Sequence, residues 1–384
     1  MAGTGPVRQS RCALGLLVAV LALASGCGSS TSSTSSAGRA SPSFYGIVPF
    51  GPLDGSDFNR MQAAGVGSLR FLIQWPAVQA APDAPFDFSA TDAIVAQAAR
   101  HHMTILPTLS DTPSFVQPSC TGDHCGVNVP VQTQAQRAGW ERFVHAAAAR
   151  YGSGGSYWRS NPDLPPDPIT RWEIWNEENN PDQGNPAPRY AKLLALSART
   201  IKSVDPRAQI IVGGMFGTPI GFRRPGVTAW SYLNLLYRAG AAKDFDGVAL
   251  HPYARTLAGI RYQIERIREV MKAHGDAATP ILITEIGWGS GAGVHHAGTG
   301  SRGQTFVVTP PQQAKKLTAS YDLLSSHRES WHVGGVYWFT WKDPLNPPPG
   351  LCAFCYSSGL YHADGRTPKP ALSAFERFTR HASS

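Results

Sequence analysis

The feature that most constrains the fold is a regular alternation of short apolar runs and longer amphipathic stretches, from about residue 44 to residue 380. The short runs are rich in Val, Ile, Leu and aromatic residues, and most are followed by polar or glycine-rich turns, as expected for buried strands. We predict eight strands, at 44–49, 68–73, 104–109, 170–175, 208–213, 247–251, 281–284 and 335–340. Helical periodicity lies between them, for example at 92–102, 132–151, 188–204, 254–274 and 310–327.

Eight strand–helix units in one uninterrupted series predict a single (β/α)8 TIM barrel. Three long connections, at 110–131, 286–309 and 341–367, follow strands 3, 7 and 8, so the enlarged loops belong to the C-terminal face of the barrel. The competing architecture is a doubly wound open sheet, but no glycine-rich phosphate-binding motif follows the first strand. Because barrel enzymes keep their active sites on the C-terminal face, the residues that end the strands are the candidates for function.

The N-terminus has the pattern of an export signal. A basic start precedes an apolar stretch, 12–24, that is too short to span a bilayer. The following Ala24-Ser25-Gly26-Cys27 resembles a bacterial lipobox, in which the cysteine carries lipid after cleavage. We expect an exported protein anchored to the membrane, facing the outside of the cytoplasm; plain secretion with cleavage nearby is the alternative. The predicted boundaries are a signal peptide at 1–26, a lipid-bearing cysteine and flexible tether at 27–43, and a folded domain at 44–381.

Four cysteines remain after Cys27, in two local pairs: Cys120 with Cys125, and Cys352 with Cys355. An exported chain favours disulfides, so we predict the bonds 120–125 and 352–355. Cross-pairing between the two loops is an alternative. A zinc site is a further alternative, but zinc ribbons place both pairs in one compact unit, and these pairs are far apart in the sequence.

Composition also limits the partners. The formal net charge is +8, but the basic residues are scattered without the Lys/Arg block typical of nucleic-acid binding, so we expect no nucleic-acid partner. The histidine pairs at 101–102 and 295–296 have no partners at metal-ligand spacing, so we expect neither a metal nor an organic cofactor. We expect a monomer.

Two predicted strands end in a glutamate. Strand 4 runs into Trp175-Asn176-Glu177, and strand 7 runs into Glu285. Two carboxyl groups at one barrel mouth are what retaining glycoside hydrolysis requires, one to protonate the leaving group and one to attack. We assign Glu177 as the acid, since neighbouring tryptophans would favour its protonated form, and Glu285 as the nucleophile. Asn176 is placed to bind a sugar 2-hydroxyl.

Other strand ends carry residues suited to the same site. An ionised nucleophile needs nearby donors or cations, and Arg70 on strand 2 and Tyr253 after strand 6 are candidates. Sugar rings stack on indoles, so tryptophans at the mouth are candidate platforms. We predict Trp341 as the contact, with Trp338 as its rival and Trp288 as a further candidate.

Together these motifs resemble glycoside hydrolase clan A: Trp-Asn-Glu after strand 4, Glu-Ile-Gly-Trp after strand 7, His-Pro-Tyr after strand 6 and an arginine on strand 2. The opening 44–47, Trp75 and the segment 112–114 are most similar to family 39-like bacterial enzymes, some of which act on exopolysaccharides. The resemblance implies a retaining mechanism with Glu177 as acid/base and Glu285 as nucleophile. It further implies Asn176 on the sugar 2-hydroxyl, Arg70 and Tyr253 on the nucleophile, and His251 in the pocket wall. Many members have a histidine where this chain has Ser110-Asp111, which puts the contacts to the outer sugar hydroxyls in doubt.

The expected function is therefore cleavage of O-glycosidic bonds in a poly- or oligosaccharide. Two alternatives use the same features. One is a catalytically silent polysaccharide-binding surface lipoprotein, which has no need of a carboxylate pair. The other is a transglycosylase, which uses the same two glutamates and differs only in its products.

Overall fold

The computed structural model describes residues 41–117, 126–218, 226–294, 303–347 and 350–383. Eight parallel strands form a closed barrel in chain order, which confirms the predicted (β/α)8 fold. The last strand closes on the first, with Tyr45 opposite Val336 and Val48 opposite Phe339. The C-terminal ends of all eight strands therefore surround one mouth.

The strands are β1 Tyr45–Val48, β2 Ser68–Gln74, β3 Thr104–Ser110, β4 Arg171–Asn176, β5 Gln209–Phe216, β6 Gly247–His251, β7 Ile281–Ile286 and β8 Val333–Phe339. The helices are α1 Gly55–Ala63, α2 Trp75–Val78, α3 Ser89–Arg100, α4 Gln134–Tyr151, α5 Ser156–Ser160, α6 Ala187–Val204, α7 Ala229–Arg238, α8 Leu257–Ala273, α9 Pro310–Ser326 and α10 Pro370–Ser383. Short 3-10 turns also occur in the long loops, including Gln304–Phe306 after β7 and Ala353–Tyr356 after β8.

The helices α1 and α4 are among those that begin with reciprocal capping contacts. Thr133 accepts from the backbone N–H of Gln136, whose side chain accepts from the backbone N–H of Thr133 at the start of α4. Asp54 and Asp57 make the same exchange at the start of α1. Each pair satisfies donors that the first helical turn leaves without partners, and so fixes where the helix begins.

The strand β5 is longer than its sequence pattern indicates. We predicted its end at Gly213, but pairing with β4 continues through Asn176 opposite Gly214, and the strand ends at Phe216. Glycine usually weakens a strand interior or marks the close approach of another group. Here the close approach applies, because the imidazole of His251 lies against Gly214. The longer strand carries Phe216 to the barrel mouth.

Cys352 and Cys355 form a disulfide, which confirms the second predicted pair. The bond lies in the long loop after β8, around the turn Ala353–Tyr356. Cys120 and Cys125 lie outside the described residues, as do the predicted signal peptide, Cys27 and the tether up to residue 40. Of the helices that the structure describes, none is both long and apolar enough to cross a bilayer.

Candidate active site

The end of β4 brings two consecutive side chains to one cavity. In a regular strand Asn176 and Glu177 would point to opposite faces. Instead, Trp175 (φ 74°) and Glu177 (φ 50°) both adopt left-handed backbone conformations that are unfavourable for residues other than glycine. The alternation is broken on both sides of Asn176, and both Asn176 and Glu177 line the cavity.

The cavity lies at the C-terminal mouth of the barrel and has a volume of about 280 Å³. Glu177 and Glu285 both line it, with carboxylate oxygens of the two residues within 4.8 Å of each other. The residues that form its walls are Val48, Pro49, Phe50, Arg70, Phe71, Leu72, Asn176, Glu177, Asn180, Phe216, Tyr253, Glu285, Gly303, Phe306, Phe339, Leu351, Cys352, Phe354 and Cys355. The structure thus brings together the two glutamates predicted from opposite parts of the sequence.

Arg70 connects the buried floor of the site to Glu285. Its Nε and Nη2 donate to the two carboxylate oxygens of Glu173 at 2.6 and 3.0 Å, and its Nη1 donates to Glu285 Oε1 at 2.8 Å. Burial alone would disfavour the guanidinium charge, but the Glu173 and Glu285 carboxylates outweigh it and raise the pKa of Arg70. Arg70 is therefore a permanent cation that fixes one oxygen of Glu285.

The same guanidinium orients the amide of Asn176. Arg70 Nη2 donates to Asn176 Oδ1 at 2.8 Å, so the amide oxygen is already engaged. The amide Nδ2 is then directed away from Arg70 and is available as a donor to a ligand in the cavity. This geometry suits the predicted contact between Asn176 and a sugar hydroxyl.

Tyr253 holds the second oxygen of Glu285. Its hydroxyl donates to Glu285 Oε2 at 2.9 Å, and the side chain is almost completely buried. Burial, with a further contribution from Glu285, raises the pKa of Tyr253 well above its usual 10.0, so the phenol keeps its proton. Arg70 and Tyr253 together fix both oxygens of Glu285, as predicted for partners of a nucleophile.

His251 is the neighbour of Glu177. Its Nδ1 lies 3.1 Å from Glu177 Oε1, and burial lowers the pKa of His251 to about 4. The imidazole is thus neutral at pH 7, and Nδ1 can donate to ionised Glu177 or accept from protonated Glu177. Its Nε2 faces Gly214, where a Cβ atom would lie only 2.0 Å away, and it has no hydrogen-bond partner among the described residues.

The other acidic residues near the end of β4 do not reach the cavity. Glu173 is fully buried beneath it, bonded to Arg70 and to the Thr108 hydroxyl at 2.8 Å. Glu178 is also fully buried, neither of its carboxyl oxygens has a hydrogen-bond partner among the described residues, and burial raises its pKa well above 4.5. Of the three glutamates at this strand end, only Glu177 lines the cavity.

One of the tryptophans that precede Glu177 in the sequence packs against a helix. Trp175 packs against Trp140 of α4, with ring centroids 5.7 Å apart, so its ring lies in the layer between barrel and helices. Glu177 has the imidazole of His251 as a close polar neighbour.

The tryptophans predicted as a stacking platform for a sugar ring do not reach the cavity, which corrects that prediction. Trp338 and Trp341 are completely buried and Trp288 is 1% exposed, and none of the three lines the cavity. Their indole nitrogens donate away from it: Trp341 to Asp57 of α1, Trp338 to the Ser358 carbonyl and Trp288 to the Ala254 carbonyl. The ring that β8 presents to the cavity is Phe339.

Six aromatic rings form a set that we call the aromatic wall: Phe50, Phe216, Tyr253, Phe306, Phe339 and Phe354. Sequence reasoning identified Tyr253 and missed the five phenylalanines. The rings form one continuous chain in which neighbouring centroids are 4.8 to 6.1 Å apart. All six line the cavity. They come from five different strand ends or loops, so no local periodicity could have identified them; the only signal was the aromatic content of the long loops.

Glu177, His251 and Glu285 form the one group of three or more acidic, histidine or cysteine side chains in the described ranges whose ligand atoms all lie within 4.8 Å of one another. Such a group has the composition of a cation site. However, Glu285 already has two donors, Arg70 and Tyr253, and a metal ion there would face the positive charge of Arg70. The cluster is better suited to proton transfer and nucleophilic attack than to holding a resident metal.

No family model and no curated protein matches this sequence. Solved structures do. A family 39 glycoside hydrolase from the gut symbiont Bacteroides cellulosilyticus WH2 has a TM-score of 0.65 and 19% sequence identity, over 88% of this chain and 64% of its own. A family 39 β-xylosidase from Caulobacter crescentus has a TM-score of 0.58 and 18% identity, over 88% and 72%.

A third similar structure is a family 5 subfamily 18 protein from Streptomyces cattleya in complex with GlcNAc, with a TM-score of 0.62 and 15% identity over 90% of this chain and 81% of its own. The chain thus spans somewhat less than two thirds of the first of these structures. At these identities the likeness concerns the fold. The chain has the fold of clan A glycoside hydrolases, similar to that of family 39.

Proposed function

We propose that the chain is a retaining glycoside hydrolase that cleaves O-glycosidic bonds by double displacement. The observation that carries the proposal is the convergence of Glu177 and Glu285 over one cavity, with carboxylate oxygens within 4.8 Å. Inverting enzymes leave about 6.5–9.5 Å between the two groups to admit a water molecule, whereas retaining enzymes need about 5–5.5 Å. The short separation favours direct attack by one carboxylate.

The supporting contacts distribute the roles. Glu285, fixed at both oxygens by Arg70 and Tyr253, attacks the anomeric carbon, while Glu177 gives its proton to the glycosidic oxygen and the leaving alcohol departs. In the second step Glu177 takes a proton from water, which attacks the same carbon and displaces Glu285 as a carboxylate. His251 can stay hydrogen-bonded to Glu177 through both steps, because neutral imidazole can donate or accept.

Azide rescue tests the two roles separately. With an activated aryl glycoside, Glu285→Ala should be inactive until azide is added, and the glycosyl azide formed should have inverted configuration. Glu177→Ala should still be glycosylated, because the activated leaving group needs no proton, and azide should then yield the product with retained configuration. Glu265→Ala, which removes a half-exposed glutamate on α8, is the matched control and should behave as wild type.

Four results would contradict the proposal. Reversed stereochemistry would exchange the two roles, and full activity in either variant would remove the residue from the mechanism. Tight binding to a glycan panel with no new reducing ends on any member would favour the silent binding protein. Transfer of the sugar to a second sugar rather than to water would favour a transglycosylase.

We further propose that the enzyme works outside the cytoplasm and is attached to the membrane by a lipid on Cys27. The support is the order of basic start, apolar stretch, lipobox-like tetrapeptide and polar tether in residues 1–43. Wild-type protein expressed in a bacterium that processes lipoproteins should incorporate labelled palmitate and stay with the membrane fraction. Cys27→Ser should lose the label, and equal labelling of the two would contradict the anchor.

A further inference from the structure

We infer that the substrate is an amphipathic glycoside, in which the sugar is joined to an apolar alcohol rather than to a second sugar. The inference rests on the proposed function and concerns the chemistry of the leaving group. The observation behind it is the uneven distribution of polar side chains around the cavity.

The hydrogen-bonding side chains are grouped together. Among the described residues that line the cavity, those with hydrogen-bonding side chains are Arg70, Asn176, Glu177, Asn180, Tyr253 and Glu285. All except Asn180 belong to the linked network around the two catalytic carboxylates. Ser110 and Asp111, which stand at the end of β3 where many of the enzymes that the chain resembles have a histidine, do not line the cavity.

The other lining residues that the structure describes are apolar. They comprise the five phenylalanines of the aromatic wall together with Val48, Pro49, Phe71, Leu72, Leu351, Gly303 and the Cys352–Cys355 disulfide. A sugar ring has two C–H faces, so two aromatic rings suffice to stack on it. The other rings would meet hydroxyl-bearing edges, and each hydroxyl buried there without a partner weakens binding by roughly tenfold or more. An apolar leaving group avoids that cost.

Some large apolar side chains on this side of the barrel are exposed. Seven large apolar side chains are exposed among the described residues, and five of them lie near strand ends, in the loops that follow strands or at the start of the next helix: Leu72, Val227, Leu257, Val294 and Leu345. These positions are on the C-terminal side of the barrel. Leu72 is 46% exposed and also lines the cavity, so its side chain extends the apolar cavity wall out to the surface.

The cavity size fits the same substrate. At about 280 Å³ it is slightly smaller than typical ligand pockets of about 300–1,000 Å³. One sugar ring and the first carbons of an alkyl chain would occupy it. The rest of the chain would then leave the cavity past Leu72.

The test compares methyl and octyl glycosides of the sugar found by an aryl-glycoside panel, below the micelle-forming concentration. Wild-type kcat/KM for octyl release should exceed that for methyl release by about tenfold or more, the gain expected from burying two or more methylene groups. A 2-phenylethyl glycoside distinguishes an aromatic alcohol from an alkyl one. Higher activity on either than on methyl supports the inference.

Two leucine variants locate the effect. Leu72→Asn should lower the octyl-to-methyl ratio by about threefold or more, because it places an amide where the chain leaves the cavity. Leu235→Asn is the control, a leucine of similar exposure (40%) on the helix α7, and should leave the ratio unchanged. Thermal unfolding of both variants checks that the fold is retained.

A ratio near one in the wild type would overturn the inference, as would equal changes in the two variants. Higher kcat/KM for the same sugar linked to a second sugar would also overturn it. These results leave the proposed hydrolase intact, since cleavage still occurs. Absence of cleavage of every glycoside, the aryl panel included, would overturn both.

Discussion

Replacing Arg70 separates the structural role of the charge network from its catalytic role. Arg70 is 1% exposed and bonded to both oxygens of Glu173, which is completely buried. In Arg70→Met, Glu173 keeps only the hydroxyls of Thr108 (2.8 Å) and Thr284 (3.4 Å). Breaking a buried ion pair by removing one partner costs about 3–5 kcal/mol, a large part of a typical domain stability of about 5–15 kcal/mol.

The double variant Arg70→Met/Glu173→Met should recover most of that loss, because well-packed apolar residues can replace a buried ion pair at little cost. Urea denaturation followed by tryptophan fluorescence measures the free energy of unfolding, and aryl-glycoside hydrolysis measures activity. Both variants should be nearly inactive, since Glu285 loses its cation in each. A single variant as stable as wild type, or a double variant less stable than the single, would refute the reasoning.

Three further changes test other parts of the site. Gly214→Ala places a Cβ 2.0 Å from His251 Nε2, so the imidazole must shift. The value of kcat/KM should then fall about 10- to 100-fold while the circular dichroism spectrum stays unchanged. Full activity would contradict the close packing of His251 on Gly214. The raised pKa of Glu178 means that the unfolded chain releases this proton at lower pH than the folded chain, so the free energy of unfolding falls as pH rises above about 4.5. Glu178→Gln should remove that decline, which is at most about 1.4 kcal/mol per pH unit, in urea titrations from pH 5 to 8. If the free energy of unfolding changed with pH in the same way in wild type and variant, Glu178 would not be its cause. Burial lowers the pKa of His251 from 6.5 to about 4, so as pH falls through this window the unfolded chain binds a proton before the folded chain does. The free energy of unfolding should therefore fall by up to about 3 kcal/mol between pH 6.5 and 4. An equal fall in His251→Gln would exclude His251 as the cause.

The sequence sufficed for the barrel and for the carboxylate pair. Apolar runs of strand length recur with helical stretches between them, and parallel strands in one barrel have their C-terminal ends at the same mouth. Once the strands are placed, Glu177 and Glu285 must lie near each other. Arg70 and Tyr253 follow by the same reasoning, because each stands at or near the end of another strand.

The orientation of the aromatic residues was not predictable in this way. Alternation along a strand decides which side chains face inward, but the left-handed conformations of Trp175 and Glu177 break it at β4. Trp341 lies beyond the end of β8 at Phe339, where alternation no longer applies, and its indole bonds to Asp57 of α1. The aromatic wall depends on contacts between distant loops, which only the three-dimensional structure brings together.

The most direct test of the central claim is to trap the covalent intermediate. Wild-type enzyme is incubated with an activated 2-deoxy-2-fluoro glycoside, digested and mapped by mass spectrometry, with Glu177→Ala treated in parallel. The two roles assigned here predict one sugar adduct per chain on Glu285 in both proteins, because the activated leaving group needs no acid. An adduct on Glu177, or turnover of cleavable glycosides with inverted first product and no adduct, would contradict them.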